Sequence, residues 1–98
     1  MKTVRFHRDA ESEMIEAAEY YESRQSDLGK RFLESVRSLI NQIRINPGIF
    51  KTLHKNIRLA KTSIFPYCII YREKDDYLEI IAVMHLKRKP GYWKNRIG

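Results

Sequence analysis

FPYCIIYREKDDYLEIIAVMH, Phe65 to His85, is the stretch on which the fold turns. β-Branched and aromatic residues crowd both of its arms, while the middle four residues, Glu73–Asp76, are all charged. Such residues suit the pleated surface of a strand, and a charged break between two such runs reads as a hairpin turn. The spacing predicts strands over Phe65–Arg72 and Tyr77–His85. In the second, Leu78, Ile80, Ala82 and Met84 are expected on one face and Ile81 and Val83 on the other. A strand apolar on both faces belongs in the middle of a sheet, covered from each side.

Working outward, Ile57–Lys61 reads as a weaker strand before the hairpin. Val4 and Phe6, alternating with Thr3, Arg5 and His7, predict a short one at the start. Between them the period becomes helical. Asp9 is the expected N-cap of a first helix near residues 10–24, with glutamates following at the positive end of its dipole. Ala10, Met14, Ala17, Ala18 and Tyr21 form its apolar stripe, with the glutamates mostly off it and Tyr20 and Tyr21 expected to pack. Asp27-Leu28-Gly29 marks a tight break. Leu28, Phe32, Val36, Leu39, Ile40 and Ile43 trace a second helix that ends before Asn46-Pro47-Gly48. So short a connection makes the helices antiparallel neighbours. The expected order is β-α-α-β-β-β: an α+β fold, one domain over residues 1–98. Its helical hairpin packs on one face of a small, largely antiparallel four-stranded sheet.

Composition narrows the class. With 43% apolar and 32% charged residues, four Gly and three Pro, the chain reads as folded rather than disordered. The runs Cys68–Tyr71 and Ile80–Met84 are far too short to span a bilayer, so no membrane partner is expected. The N-terminus lacks the apolar core of a signal peptide, and a single cysteine, Cys68, allows no internal disulfide. A cytoplasmic location is expected on both grounds. The net charge of +7 is segregated. Residues 9–27 hold seven acids against one base, residues 1–8 carry +3, and residues 28–98 carry fifteen bases against five acids. A basic surface attracts polyanions and acidic partners over about 8–10 Å at cellular salt.

Three stretches together resemble a known family. Glu16-Ala17-Ala18-Glu19-Tyr20-Tyr21 followed by Leu28-Gly29-Lys30-Arg31-Phe32 resembles the helical hairpin of RelE/ParE-type toxins, some of them called plasmid stabilisation proteins. Phe65-Pro66-Tyr67-Cys68-Ile69-Ile70-Tyr71-Arg72 is similar to their aromatic strand. Ile81-Ala82-Val83-Met84-His85, with Arg88, Pro90, Tyr92-Trp93 and Arg96, is similar to their last strand and tail. The likeness runs from about residue 3 to residue 97. It implies the toxin of a bacterial type II toxin–antitoxin pair, neutralised by a cognate antitoxin whose segment wraps it. It also implies one of two actions: ParE-like growth arrest by binding a target such as DNA gyrase, or RelE-like cleavage of mRNA on the ribosome.

Metal-free RNA cleavage needs groups that move the 2′-hydroxyl proton, stabilise the phosphate and protonate the leaving oxygen. Lys55, Arg58, Lys61, His85, Arg88 and Tyr92 are the residues available for a catalytic set, Tyr92 standing where the ribonucleases' tyrosine would. In those ribonucleases an arginine commonly follows the tyrosine of the third strand, and here that place holds Cys68. A cysteine cannot neutralise phosphate charge, which favours the ParE-like action. His85 has either a general-base or a structural role, and Cys68, with no evident base, reads as a small core residue. Lys87, Lys89, Lys94 and Arg96, interleaved with Trp93, suit contact with a macromolecular target. The alternative for Tyr92 and Trp93 is to pack the tail onto the sheet. His7, His54 and His85 lack ligand spacing, so neither a metal nor any other cofactor is expected. An acidic antitoxin segment is expected to lie across the sheet, open on the side away from the hairpin.

Overall fold

The computed structural model describes residues 2–97; residues 1 and 98 of the expected domain lie outside the described residues. In chain order the elements are β1 (Thr3–Phe6), α1 (Arg8–Arg24), α2 (Leu28–Ile45), β2 (Lys51–His54), β3 (Ile57–Lys61), β4 (Tyr67–Glu73) and β5 (Tyr77–His85). A single 3-10 turn, Lys94–Arg96, follows in the tail. The sheet runs β1-β5-β4-β3-β2, with β1 parallel to β5 and the other pairings antiparallel. It has five strands rather than the expected four. The extra one, β2, is exposed at all four residues, so Lys-Thr-Leu-His carries no apolar alternation to announce it. Backbone pairing with β3 holds it, through a register shift at Leu53.

β5 is central, as its two-sided apolarity predicts, but its alternation breaks. Tyr71 stands opposite Ile80 and Ile70 opposite Ala82, which leaves Ile81 as an extra residue in a β-bulge. The expectation that Leu78, Ile80, Ala82 and Met84 share a face is therefore corrected. Leu78, Ile80 and Val83 pack with the hairpin, while Ile81, Ala82 and Met84 pack on the other side. On the hairpin side Phe32, Val36, Leu39 and Ile43 meet Ile69, Tyr71 and Ile80. Phe32 stands edge-on to Phe65 and Tyr67, with ring centres 5.2 and 5.0 Å away. Tyr21 joins them, 4.8 Å from Phe65. Tyr20, expected to pack as well, is 53% exposed, with Arg24 stacked over its ring.

The hairpin is tightened at two points. α1 begins two residues earlier than expected because β1 runs straight into it. Its N-cap is His7, whose Nδ1 accepts from the Asp9 amide at 3.1 Å; Asp9 lies in the first turn. α2 starts after Asp27, held in the left-handed region at φ 71° with no side-chain cap of its own. Glu22 of α1 caps it instead, accepting from the amides of Asp27 and Gly29, each at 2.9 Å. No helix among the described residues is long and apolar enough to cross a membrane.

Candidate functional site

β1 ends at Phe6, opposite Ile80, so the outer edge of β5 has no strand partner from the bulge onward. Two side chains fill that edge. Glu13, projecting from α1, accepts through Oε1 from the Val83 amide at 3.1 Å. Arg96, returning in the tail, donates through Nη1 to the Ile81 carbonyl at 3.0 Å. The two also grip each other: Arg96 Nη1 to Glu13 Oε1 and Nη2 to Oε2, both at 2.9 Å. The Tyr92 hydroxyl donates to Glu13 Oε2 at 2.5 Å. Arg88 closes the cluster, its Nη1 3.9 Å from Oε2 and its guanidinium 4.0 Å over the Tyr92 ring. Asp9 adds a longer contact, 3.8 Å from Arg96 Nε.

This is a nearly dry network, with the side chains of Glu13 and Arg96 only 16% and 11% exposed. Removing one partner of such a pair costs about 3–5 kcal/mol, because the other is left charged and buried. The hydrogen bonds that Arg96 donates to Glu13 raise its guanidinium above its ordinary value, so it stays charged. Burial, and then the bond to Glu13, push the Tyr92 phenol well above the ordinary tyrosine value. Tyr92 is thus a protonated donor to Glu13 rather than a phenolate at neutral pH.

The expected catalytic set is only partly assembled. Arg88 and Tyr92 meet at Glu13, but Arg58 and Lys61 do not join them. Alternation along β3 puts Arg58 on the side of Ala60, toward the hairpin, and Lys61 on the side of Leu59, toward the tail. Arg58 Nη1 is spent on the Phe50 carbonyl at 2.7 Å, and Lys55 lies in the exposed β2–β3 turn. His85 accepts through Nδ1 from the Lys87 amide at 3.0 Å and stands edge-on to Tyr67 at 5.2 Å. Burial pushes the Cys68 thiol up to about 11, so no thiolate nucleophile is on offer. Among the described residues no three His, Cys, Asp or Glu side chains come together as metal ligands.

The expected target-binding set divides too. Lys87, Lys89 and Lys94 are exposed on the tail. Trp93 is 4% exposed, packed among Ile57, Cys68, Ile70, Ile81 and Met84, and Arg96 is tied to Glu13. Trp93 thus has a packing place and Arg96 an ion pair, and neither presents its functional group to solvent. The sheet face away from the hairpin is consequently covered at its centre by the tail instead of lying open. Glu13 was not anticipated, yet it lies three residues after Ala10 and four before Ala17. An acid on the apolar stripe of a helix is the signal that a buried counterion awaits it.

Residues 4–90 match the family model described as the ParE toxin of the type II toxin–antitoxin system parDE. Toxin ParE2 of Mycobacterium tuberculosis, from strains CDC 1551/Oshkosh and H37Rv, is 30% identical over 94 residues, covering 92% of this chain and 87% of the relative. The fold is similar to that of a chain in the chromosomal ParDE system of P. aeruginosa, with TM-score 0.64 and 15% identity over 87% of this chain and 96% of that one. The family match spans all of α1, α2 and β2–β5 and stops just short of Tyr92, Trp93 and Arg96. On that match and that relative, reached over nearly the whole chain, this protein belongs to the ParE toxin family of type II toxin–antitoxin systems.

Proposed function

We propose that this toxin arrests growth in the cytoplasm by binding a cellular target such as DNA gyrase through its basic C-terminal segment, and that a cognate antitoxin neutralises it. The observation that carries the reading is the state of Tyr92. The one tyrosine placed to protonate a leaving oxygen spends its hydroxyl hydrogen bond on Glu13, while Arg58 and Lys61 stand on opposite sides of the sheet. RNA cleavage needs its cations and its acid to converge on one phosphate, and losing a single stabilising donor costs about 10²–10³ in rate. What remains for function is a ridge of exposed cations, Lys87, Arg88, Lys89 and Lys94, suited to binding.

For the antitoxin, the groove between β1 and the helices offers Phe6, Met14, Val36 and Ile40 on its walls, with Arg37 and Arg44 among its lining residues. An amphipathic, acidic segment suits it, and the exposed β2 edge leaves room for strand addition. The test is to induce the toxin without antitoxin and follow gyrase supercoiling beside cleavage of translated mRNA. Inhibited supercoiling that is lost on truncation after Lys89 is the expected result. Prompt ribosome-dependent cleavage, abolished by Tyr92→Phe in a folded protein, would assign the chain to endoribonucleases instead. Pull-down of the neighbouring gene product, weakened by Arg37→Glu, tests the groove.

A further inference from the structure

Among the described residues after His85 the single turn Lys94–Arg96 is the one regular element, and five cations lie within ten residues of one another, Lys87 to Arg96. Such a segment repels itself, so its order must come from what it touches. One contact is apolar: Trp93 in its pocket against the bulged strand. The other is ionic and converges on one carboxylate. Glu13 takes Tyr92 and Arg96 from the tail, lies near Arg88, and accepts from the Val83 amide at the bulge.

We infer that Glu13 is a positioning residue. Its carboxylate latches the segment 87–97 to α1 and so sets where the exposed Lys87, Lys89 and Lys94 stand, the bases which, on the reading proposed above, meet the target. The division of labour follows from the physics of the two contacts. Burial of an indole is favourable in many orientations, so Trp93 keeps the tail near the sheet without dictating its path. A bidentate carboxylate–guanidinium fork has one geometry, and here it fixes residue 96 while the Tyr92 hydroxyl fixes residue 92. With both points pinned, the turn between them has little freedom. Without the carboxylate, Arg96 would keep only the Ile81 carbonyl and the longer contact to the half-exposed Asp9, and its guanidinium would turn to water, taking the tail with it.

Trp93 is the protein's one tryptophan, so its emission reports this segment alone. The experiment compares full-length wild type, Glu13→Ala, Glu13→Gln and Tyr92→Phe, each produced with the antitoxin and then separated from it. For Glu13→Ala the emission shifts to the red and acrylamide quenching rises. Amide exchange at Arg96 and Ile97 speeds up about tenfold or more, while β4 and β5 keep their protection. Growth arrest is lost although the antitoxin still binds. Glu13→Gln and Tyr92→Phe move the same readouts less, and they decide the matter should Glu13→Ala not fold. Unchanged emission and tail exchange in the folded variants overturn the latch. Uniform loosening of every amide, or a freed tail with undiminished toxicity, reduces Glu13 to a structural residue and overturns the positioning role. Wild type that cuts mRNA and spares gyrase sinks the target reading instead, and leaves the spectroscopic result standing.

Discussion

Gly29 lies in the first turn of α2 where α1 passes very close. A Cβ at this position would stand 2.4 Å from the Ala18 carbonyl oxygen, 3.0 Å from Glu22 Cβ and 3.1 Å from Glu22 Oε1. Propensity alone argues that Gly29→Ala should stabilise the helix by up to about 1 kcal/mol. Packing argues the reverse. A carbon and a carbonyl oxygen rest about 3.3 Å apart at closest, so backbone must yield by about 0.9 Å, and no flexible side chain can absorb it. Overpacking of this kind costs about 1–3 kcal/mol. Displacing Glu22 also strips α2 of its borrowed cap, worth about 1 kcal/mol. After the propensity gain is subtracted, a net loss of about 1–3 kcal/mol remains. In a domain this size 1 kcal/mol moves Tm by about 4–8 °C, so Gly29→Ala should melt roughly 5–20 °C below wild type. Thermal unfolding followed by circular dichroism measures it, and Glu22→Ala isolates the capping share. A Tm equal to or above that of wild type refutes the close crossing.

Leu39→Ala and Ile81→Ala each leave a cavity, at sites 4% and 1% exposed on opposite sides of the sheet, and should cost about 2–5 kcal/mol in urea unfolding. A change under about 0.5 kcal/mol at either site would contradict its placement in the core. Cys68, with no exposed surface and a thiol pushed up to about 11, should resist iodoacetamide at pH 8 until the protein unfolds; labelling within minutes in native buffer would refute this. Burial holds Cys68 protonated to about 11 and Tyr71 to about 12, against ordinary values of 9.0 and 10.0. The stability they contribute is complete below those ordinary values and is lost as pH rises through the raised ones, by at most about 1.4 kcal/mol per pH unit per group. Tyr71→Phe with Cys68→Ala should flatten that alkaline decline, and a decline as steep as wild type would show that other groups cause it.

Periodicity made the helices and the β4–β5 hairpin readable, because each must bury one stripe or two faces. β2 was silent for the opposite reason: all four of its residues are exposed, and its backbone pairing holds it. The bulge was hidden by its own composition. Ile80-Ile81-Ala82-Val83 is apolar throughout, so a one-residue slip leaves no polar residue on the wrong side to betray it. At the site, Arg88, Tyr92 and Arg96 were recognisable as the residue types that bind or cleave nucleic acid. Their engagement was not, since the carboxylate that holds them lies 75 or more positions earlier in the chain. Trp93 fitted stacking or packing equally well until its neighbours were known.

The bulge and the ion pair solve one problem together. β1 is only four residues long, and past Ile80 it leaves the Ile81 carbonyl and the Val83 amide without a strand beside them. A buried backbone group left unpaired costs about 1–3 kcal/mol, so this edge needs an acceptor and a donor side by side. A glutamate and an arginine supply both at once, and each leaves bonding capacity for the other. That accounts for a feature otherwise odd in a basic protein, the crowding of acids onto one helix. Glu13 and Asp9 face Arg96, and Glu22 caps α2, so part of the acidic helix is structural counterion rather than solvated surface. The consequence for function is directional. A cation that the fold consumes is not available to a target, and within the tail those left exposed, Lys87, Lys89 and Lys94, stand on the outer side of the segment that the ion pair anchors.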